Sequence, residues 1–73
     1  ETAEIIFADP PYGISWINEL PEMIFNSSVS SDLRLLVIEH DQTTDYSSDD
    51  HFEAMRKYGQ SRFSFFRIQD QLD

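Results

Sequence analysis

The chain contains no cysteine, which excludes disulfides and thiolate metal sites. It has only two glycines, Gly13 and Gly59, and they stand far apart, so no Gly-rich turn is available. No apolar run approaches the ~20 residues that cross a bilayer, and the N-terminus carries no signal-peptide pattern. Bases are also scarce, with five Lys and Arg against fourteen acids and a net charge of −9. That balance disfavours a free-standing nucleic-acid binder, because phosphate contacts need clustered cations. At 73 residues there is room for one domain, near the size at which a single core is marginally stable.

What is present is a globular composition: 40% hydrophobic residues, including six Phe, three Tyr and one Trp. Residues 4–8 (EIIFA) are a nearly continuous apolar run, which predicts a strand buried on both faces. The Asp-Pro-Pro that follows must end it, since proline cannot donate to a ladder and restricts its predecessor. In residues 15–26, Ile17, Leu20 and Ile24 recur at helical spacing behind Ser15, a candidate N-cap. Pro21 inside that stretch predicts a kink or two short helical pieces meeting there. The serines of NSSVSSD read as a polar loop.

Residues 33–39 (LRLLVIE) form the strongest strand pattern and predict a central position in a sheet. Strand, helix and strand within this span make a βαβ unit. The stretch from His40 to His51 is polar and aperiodic, a loop. FEAMRKYGQSRFSFFRI then predicts two antiparallel strands joined at Gly59-Gln60-Ser61, with Gly59 supplying a positive φ. Alternation places Phe63 and Phe65 on one face and Ser64, Phe66 and Ile68 on the other; the phenylalanines are read as core. The final five residues read as frayed. The expected fold class is therefore α/β, strand-helix-strand followed by an antiparallel β-hairpin. One helix covers one sheet face, which leaves the other apolar face open as an interaction surface, for a missing N-terminal half or for self-association.

In open α/β sheets, ligands bind beyond the carboxyl ends of the parallel strands. Two segments fall on that rim: Asp9-Pro10-Pro11-Tyr12 and Glu39-His40-Asp41. The first has a specific chemistry. An exocyclic amine on a nucleobase is a poor nucleophile, because its lone pair is delocalised into the ring. Two acceptors that take its hydrogens favour a localised lone pair, and the Asp9 carboxylate and Pro10 carbonyl are such acceptors. Proline fixes φ, so this carbonyl is preorganised. Tyr12 offers a face on which an unpaired base stacks. Pro11, Gly13 and His40 complete the candidate substrate-binding set, with His40 read as orienting Asp9 or capping a backbone carbonyl. Trp16 is read as packing over the sheet edge rather than stacking beside the site.

The motif resembles the Asp/Asn-Pro-Pro-Tyr/Phe signature of S-adenosylmethionine-dependent amino-methyltransferases. FADPPYG, LPEMIF, the strand ending IEH, and RKYGQSRFSFF in that order are similar to the C-terminal half of bacterial 16S ribosomal RNA (guanine-N2)-methyltransferases. The resemblance covers residues 4–67. It implies the terminal half of a Rossmann-like class I methyltransferase sheet, residues 1–73 being a partial domain of a cytoplasmic enzyme that acts on ribosomal RNA. It implies that Asp9, Pro10 and Tyr12 hold the target guanine. The family seats S-adenosylmethionine on a Gly-rich turn that this chain lacks, so the cofactor site is expected in a missing N-terminal half, and the isolated chain is expected to be inactive. The helix usual between the fifth and sixth strands is replaced here by the acidic loop.

Other readings stay open. Adenine-N6 and protein glutamine methyltransferases use a related motif, more often with Asn first. A non-catalytic acidic α/β module that holds a partner protein on its open face would suit the charge and the missing glycines. His40, Asp41, Asp45, Asp49, Asp50 and His51 include metal-ligand types, but their spacing matches no ligand pattern and a solvated acidic loop is expected. Arg56, Lys57, Arg62 and Arg67 flank the hairpin, either as a solvated face or as phosphate contacts.

Overall fold

A computed structural model describes residues 5–11, 13–26 and 33–67. Tyr12, Ile68, the remainder of the serine-rich loop and the C-terminal residues lie outside the described set, as do the expectations that fall on them. The elements run β1 (Ile5–Ala8), a 3₁₀ turn (Ile17–Glu19), α1 (Leu20–Phe25), β2 (Leu35–His40), β3 (Phe52–Tyr58) and β4 (Ser61–Arg67). The strands form one mixed sheet in the order β1-β2-β4-β3, with β1 parallel to β2 and the remaining pairs antiparallel. The α/β class, the parallel pair and the hairpin are thus as the sequence predicts.

Pro21 explains how the helical segment is built. It sits in the first turn of α1, where its missing N–H would have no intrahelical partner in any case. The 3₁₀ turn and the α-helix meet immediately before it, so two short pieces replace a kinked helix. Ser15 does not cap either piece; the residue at the 3₁₀ N-cap is Trp16, without a side-chain bond. Trp16 is 43% exposed.

Cross-strand register sorts the side chains into two faces. Ile6, Leu36, Ile38, Ser64 and Phe66 point toward the helical layer, because Ile6 pairs with Leu36, Leu36 with Phe66 and Ile38 with Ser64. There Leu20, Leu33, Leu36, Ile38, Tyr46 and Phe66 form the core, flanked by Ile17, Ile24, Phe25 and Phe52. The opposite face carries Ile5, Phe7, Leu35, Val37, Phe63 and Phe65, and none of the described elements lies over it. Val37 is nonetheless buried by its neighbours, whereas Ile5 and Phe7 are 65% and 56% exposed. Among the described elements β1 is therefore an edge strand covered on one side only, not the doubly buried strand its apolar run predicts. Phe63 and Phe65 are half-buried on this open face, and only Phe66 of the three phenylalanines is fully enclosed. No described helix is long and apolar enough to cross a membrane.

The hairpin loop is two residues, Gly59-Gln60, with Ser61 already paired to Tyr58. Gly59 has φ +61° and no other residue of the turn has a positive φ, the pattern of a type II′ turn.

Candidate functional site

The register defines the rim. Ala8 lies beside Ile38, so the Asp9-Pro10 segment runs level with the end of β2 at Glu39 and His40. His40 in turn faces Arg62, and Arg62 faces Lys57. The Gly59-Gln60 turn consequently projects at the same end of the sheet as the Asp-Pro-Pro segment. Reading the sequence placed two segments on this rim; the structure adds the hairpin tip as a third. The hairpin itself was legible in the sequence, but its tip reaches the rim because β4 pairs antiparallel with β2, which the spacing does not specify.

A cavity of about 120 Å³ opens between the first two segments, lined by Pro11, Gly13, Ile14, Ile17, His40, Asp41, Thr43 and Thr44. Three residues singled out from the sequence, Pro11, Gly13 and His40, are brought together on its walls. Asp9 and Pro10 stand beside it rather than on its lining. The Asp9 side chain is exposed, and no described residue hydrogen-bonds or ion-pairs with it. Gly13 adopts φ +84°, and a Cβ there would meet nothing within 4 Å. Its glycine is thus required by backbone conformation alone.

His40 is 2% exposed and is held at both ring nitrogens. Nδ1 lies 2.9 Å from the Asp41 carbonyl, which can only accept, so Nδ1–H is the donor. Nε2 lies 2.7 Å from the Ser64 hydroxyl, and with the neutral ring it accepts the Ser64 O–H. The Tyr46 ring stacks edge-on against the imidazole at 5.1 Å. His40 caps a backbone carbonyl, one of its two expected roles, and its polar atoms are fully engaged within the chain. It shapes the cavity wall and fixes the start of the following loop.

That loop is ordered by its own acids. Asp41 Oδ1 accepts from the Thr43 N–H at 3.0 Å and the Thr43 hydroxyl at 2.6 Å. Asp45 Oδ1 accepts from the Ser47 N–H at 2.9 Å, and Asp49 Oδ1 from the His51 N–H at 2.8 Å. Three Asx turns thus recur every fourth residue, each side chain taking the place of a backbone acceptor. The Thr43 bonds pull the Asp41 carboxyl below its usual pKa, and the Ser47 bonds do the same for Asp45. With the carboxylates turned onto their own backbone, no group of three potential ligands converges among the described residues.

Tyr46 is the residue that the sequence reading missed. It is 5% exposed, and its hydroxyl donates to the Ile17 carbonyl at 2.6 Å, tying the acidic loop to the 3₁₀ turn that forms the cavity's other wall. Burial pushes its pKa up to about 12. The only sequence signal was one aromatic residue in an otherwise polar stretch.

Residues 1–67 match the model of a family described as Conserved hypothetical protein 95. The chain is 28% identical over 71 residues to an uncharacterized methylase of Rickettsia prowazekii (strain Madrid E), an alignment covering 94% of this chain and 30% of that protein. It therefore spans about a third of the length of the curated relative it matches. No solved structure matches it. The chain belongs to the Conserved hypothetical protein 95 family, a methyltransferase-like family.

Proposed function

We propose that this chain is the substrate-clamping part of an S-adenosylmethionine-dependent methyltransferase that acts on the exocyclic N2 of a guanine in small-subunit ribosomal RNA. The observation that carries the reading is the position of Asp9-Pro10-Pro11, directly after a parallel strand and at the mouth of the cavity lined by Pro11, Gly13 and His40. One amine hydrogen donates to the Asp9 carboxylate and the other to the Pro10 carbonyl, so the nitrogen lone pair points away from both. The Asp9 carboxylate is open to solvent, which gives the proton shed by the substituted nitrogen a way out. Tyr12 supplies the stacking face, and the buried His40 keeps the far wall rigid.

The residues of this chain do not fit the methyl donor's seat. Its two glycines stand singly, Gly13 in the turn between β1 and the helical segment and Gly59 in the hairpin, so no Gly-rich turn is formed. No step is therefore assigned to residues of this chain at the donor. In the working protein the donor's seat, and the cover for Ile5 and Phe7 on the open sheet face, come from further residues of a longer chain that works in the cytoplasm. Residues 1–73 form one partial domain of that chain, and its sheet is the terminal half of a Rossmann-like one.

The test is Asp9→Ala in the full-length protein, assayed for methyl transfer to small-subunit RNA. Loss of one of the two acceptors that localise the amine lone pair is expected to lower the rate by about two to three orders of magnitude. An unchanged rate would remove Asp9 from the clamp. The exposed apolar face favours a second reading, an acidic module that holds a protein partner and performs no chemistry. Absence of methyl transfer to RNA, protein or free nucleotide by the full-length protein would favour that reading.

A further inference from the structure

Lys57 and Arg62 stand directly opposite each other on β3 and β4. Like charges so placed are destabilising, and a pair of this kind is ordinarily relieved by an adjacent acid. No such relief is present: among the described residues neither cation has an ion-pair partner, while Arg67, lower on β4, is paired to Glu53 at 2.6 Å. Asp45 shares a cavity with Arg62, but its Oδ1 is turned onto the Ser47 N–H and it makes no ion pair with either cation. Arg62 is half-buried.

Arg62 also lines a second cavity, of about 220 Å³, together with Gln42, Asp45, Ser47 and Ser64. This cavity shares His40 and Thr44 with the one beside Asp-Pro-Pro, so the two abut at the rim. Arg62 is the cross-strand partner of His40, two strands from β1. At a strand spacing of about 4.8 Å, the cations lie roughly 10–15 Å from the Asp9 segment. A nucleotide and its neighbouring phosphate span such a distance.

We propose that Lys57 and Arg62 form a phosphate subsite that holds the nucleic-acid backbone next to the base clamped at Asp9-Pro10. The inference rests on the function proposed above and adds to it the place where the strand leaves the clamp. An anion between the two side chains removes their mutual repulsion, and the guanidinium fork and the ammonium suit phosphate oxygens. In a chain with net charge −9, the pair gives the strand a local cationic anchor against the overall field.

The experiment uses the full-length protein and a fluorescein-labelled single-stranded oligoribonucleotide, with affinity measured between low and moderate salt. Each of Lys57→Gln and Arg62→Gln is expected to reduce the slope of log affinity against log salt by about 0.7, and the double variant by about 1.4. Arg62→Lys, which keeps the charge, is expected to restore the slope. A double variant with the wild-type slope overturns the proposal, and so does a protein that does not bind the oligonucleotide. Weaker binding at unchanged slope also overturns it, since it reports packing and not a phosphate. Asp9→Ala, which removes the acceptor, is assayed in parallel for methyl transfer and reports on the clamp separately. If it stays active while the slopes fall as expected, the clamp is wrong and the subsite stands.

Discussion

His40 and Ser64 meet across neighbouring strands with 2.7 Å between the ring Nε2 and the hydroxyl, and both residues are buried. Because the other ring nitrogen donates to the Asp41 carbonyl, Nε2 of the neutral ring is left as an acceptor and Ser64 as its donor. The pair joins the centre of the sheet to the loop that walls the cavity. Removing the hydroxyl leaves a buried acceptor without a donor. Ser64→Ala is therefore expected to cost about 1–3 kcal/mol in a urea unfolding titration. A loss below the error of that titration would show that water or another donor replaces the hydroxyl.

Tyr46 makes stability fall at alkaline pH. Its folded pKa is raised to about 12 from 10.0, so between these values the unfolded chain loses the proton while the folded chain keeps it. Folding is then opposed increasingly as pH rises through that window. Tyr46→Phe should abolish the alkaline decline. It should also lower stability at neutral pH by about 1 kcal/mol, through the lost bond to the Ile17 carbonyl. Thermal melts of both proteins across the alkaline range check this, and a wild-type protein with no decline above pH 10 would contradict it.

Asp41 and Asp45 act at the other end of the scale. Their folded pKa values lie below 3.8, so the unfolded chain binds protons first on acidification. Their contribution is present above that value and is lost as pH falls through the lowered folded values. Thr43→Val removes the hydroxyl that is the largest cause for Asp41. The acid limb of a stability–pH curve should then become shallower, and a curve of unchanged shape would show that the Thr43 hydroxyl bond does not persist in solution.

Gly13 is required by its backbone and not by space. Gly13→Ala introduces no clash within 4 Å, yet φ +84° disfavours any side chain by about 1–2 kcal/mol. The turn is exposed, so the expected outcome is a re-formed loop with weakened substrate binding and a small change in melting temperature. Wild-type KM and kcat in the full-length variant would show that the turn's shape is not needed.

The two sheet faces should respond differently to the same substitution. Phe66 is fully buried among Phe25, Tyr46 and Phe52. Its replacement by Ala is expected to cost about 3–5 kcal/mol. Phe7 touches the Phe63 ring at 6.1 Å but is 56% exposed, so Phe7→Ala should cost a small fraction of that in the 73-residue chain. A similar loss for both in denaturant titrations would mean that the open face is covered in solution.

Two of the departures from the sequence expectations share a cause. β1 was read as doubly buried because apolar periodicity reports what a strand is suited to, and burial of its second face depends on what lies over it. Tyr46 and the three Asx turns were read as an undifferentiated polar loop, because an aspartate that bonds the backbone two residues on looks, in sequence, like one that faces water.

The local pattern of residues determined the elements. Apolar runs gave β1 and β2, Pro21 set where α1 begins, Gly59 set the hairpin, and the rigid Asp-Pro-Pro followed the first strand. These follow from dihedral limits and periodicity, which act within a few residues. Only the tertiary structure decided that Pro11, Gly13 and His40 share a cavity, that Lys57 and Arg62 face each other unneutralised at the same rim, and that Tyr46 belongs to the core. Those relationships depend on strand order and register, which are set by the burial of Phe66, Leu36 and Ile38 together and not by any one segment.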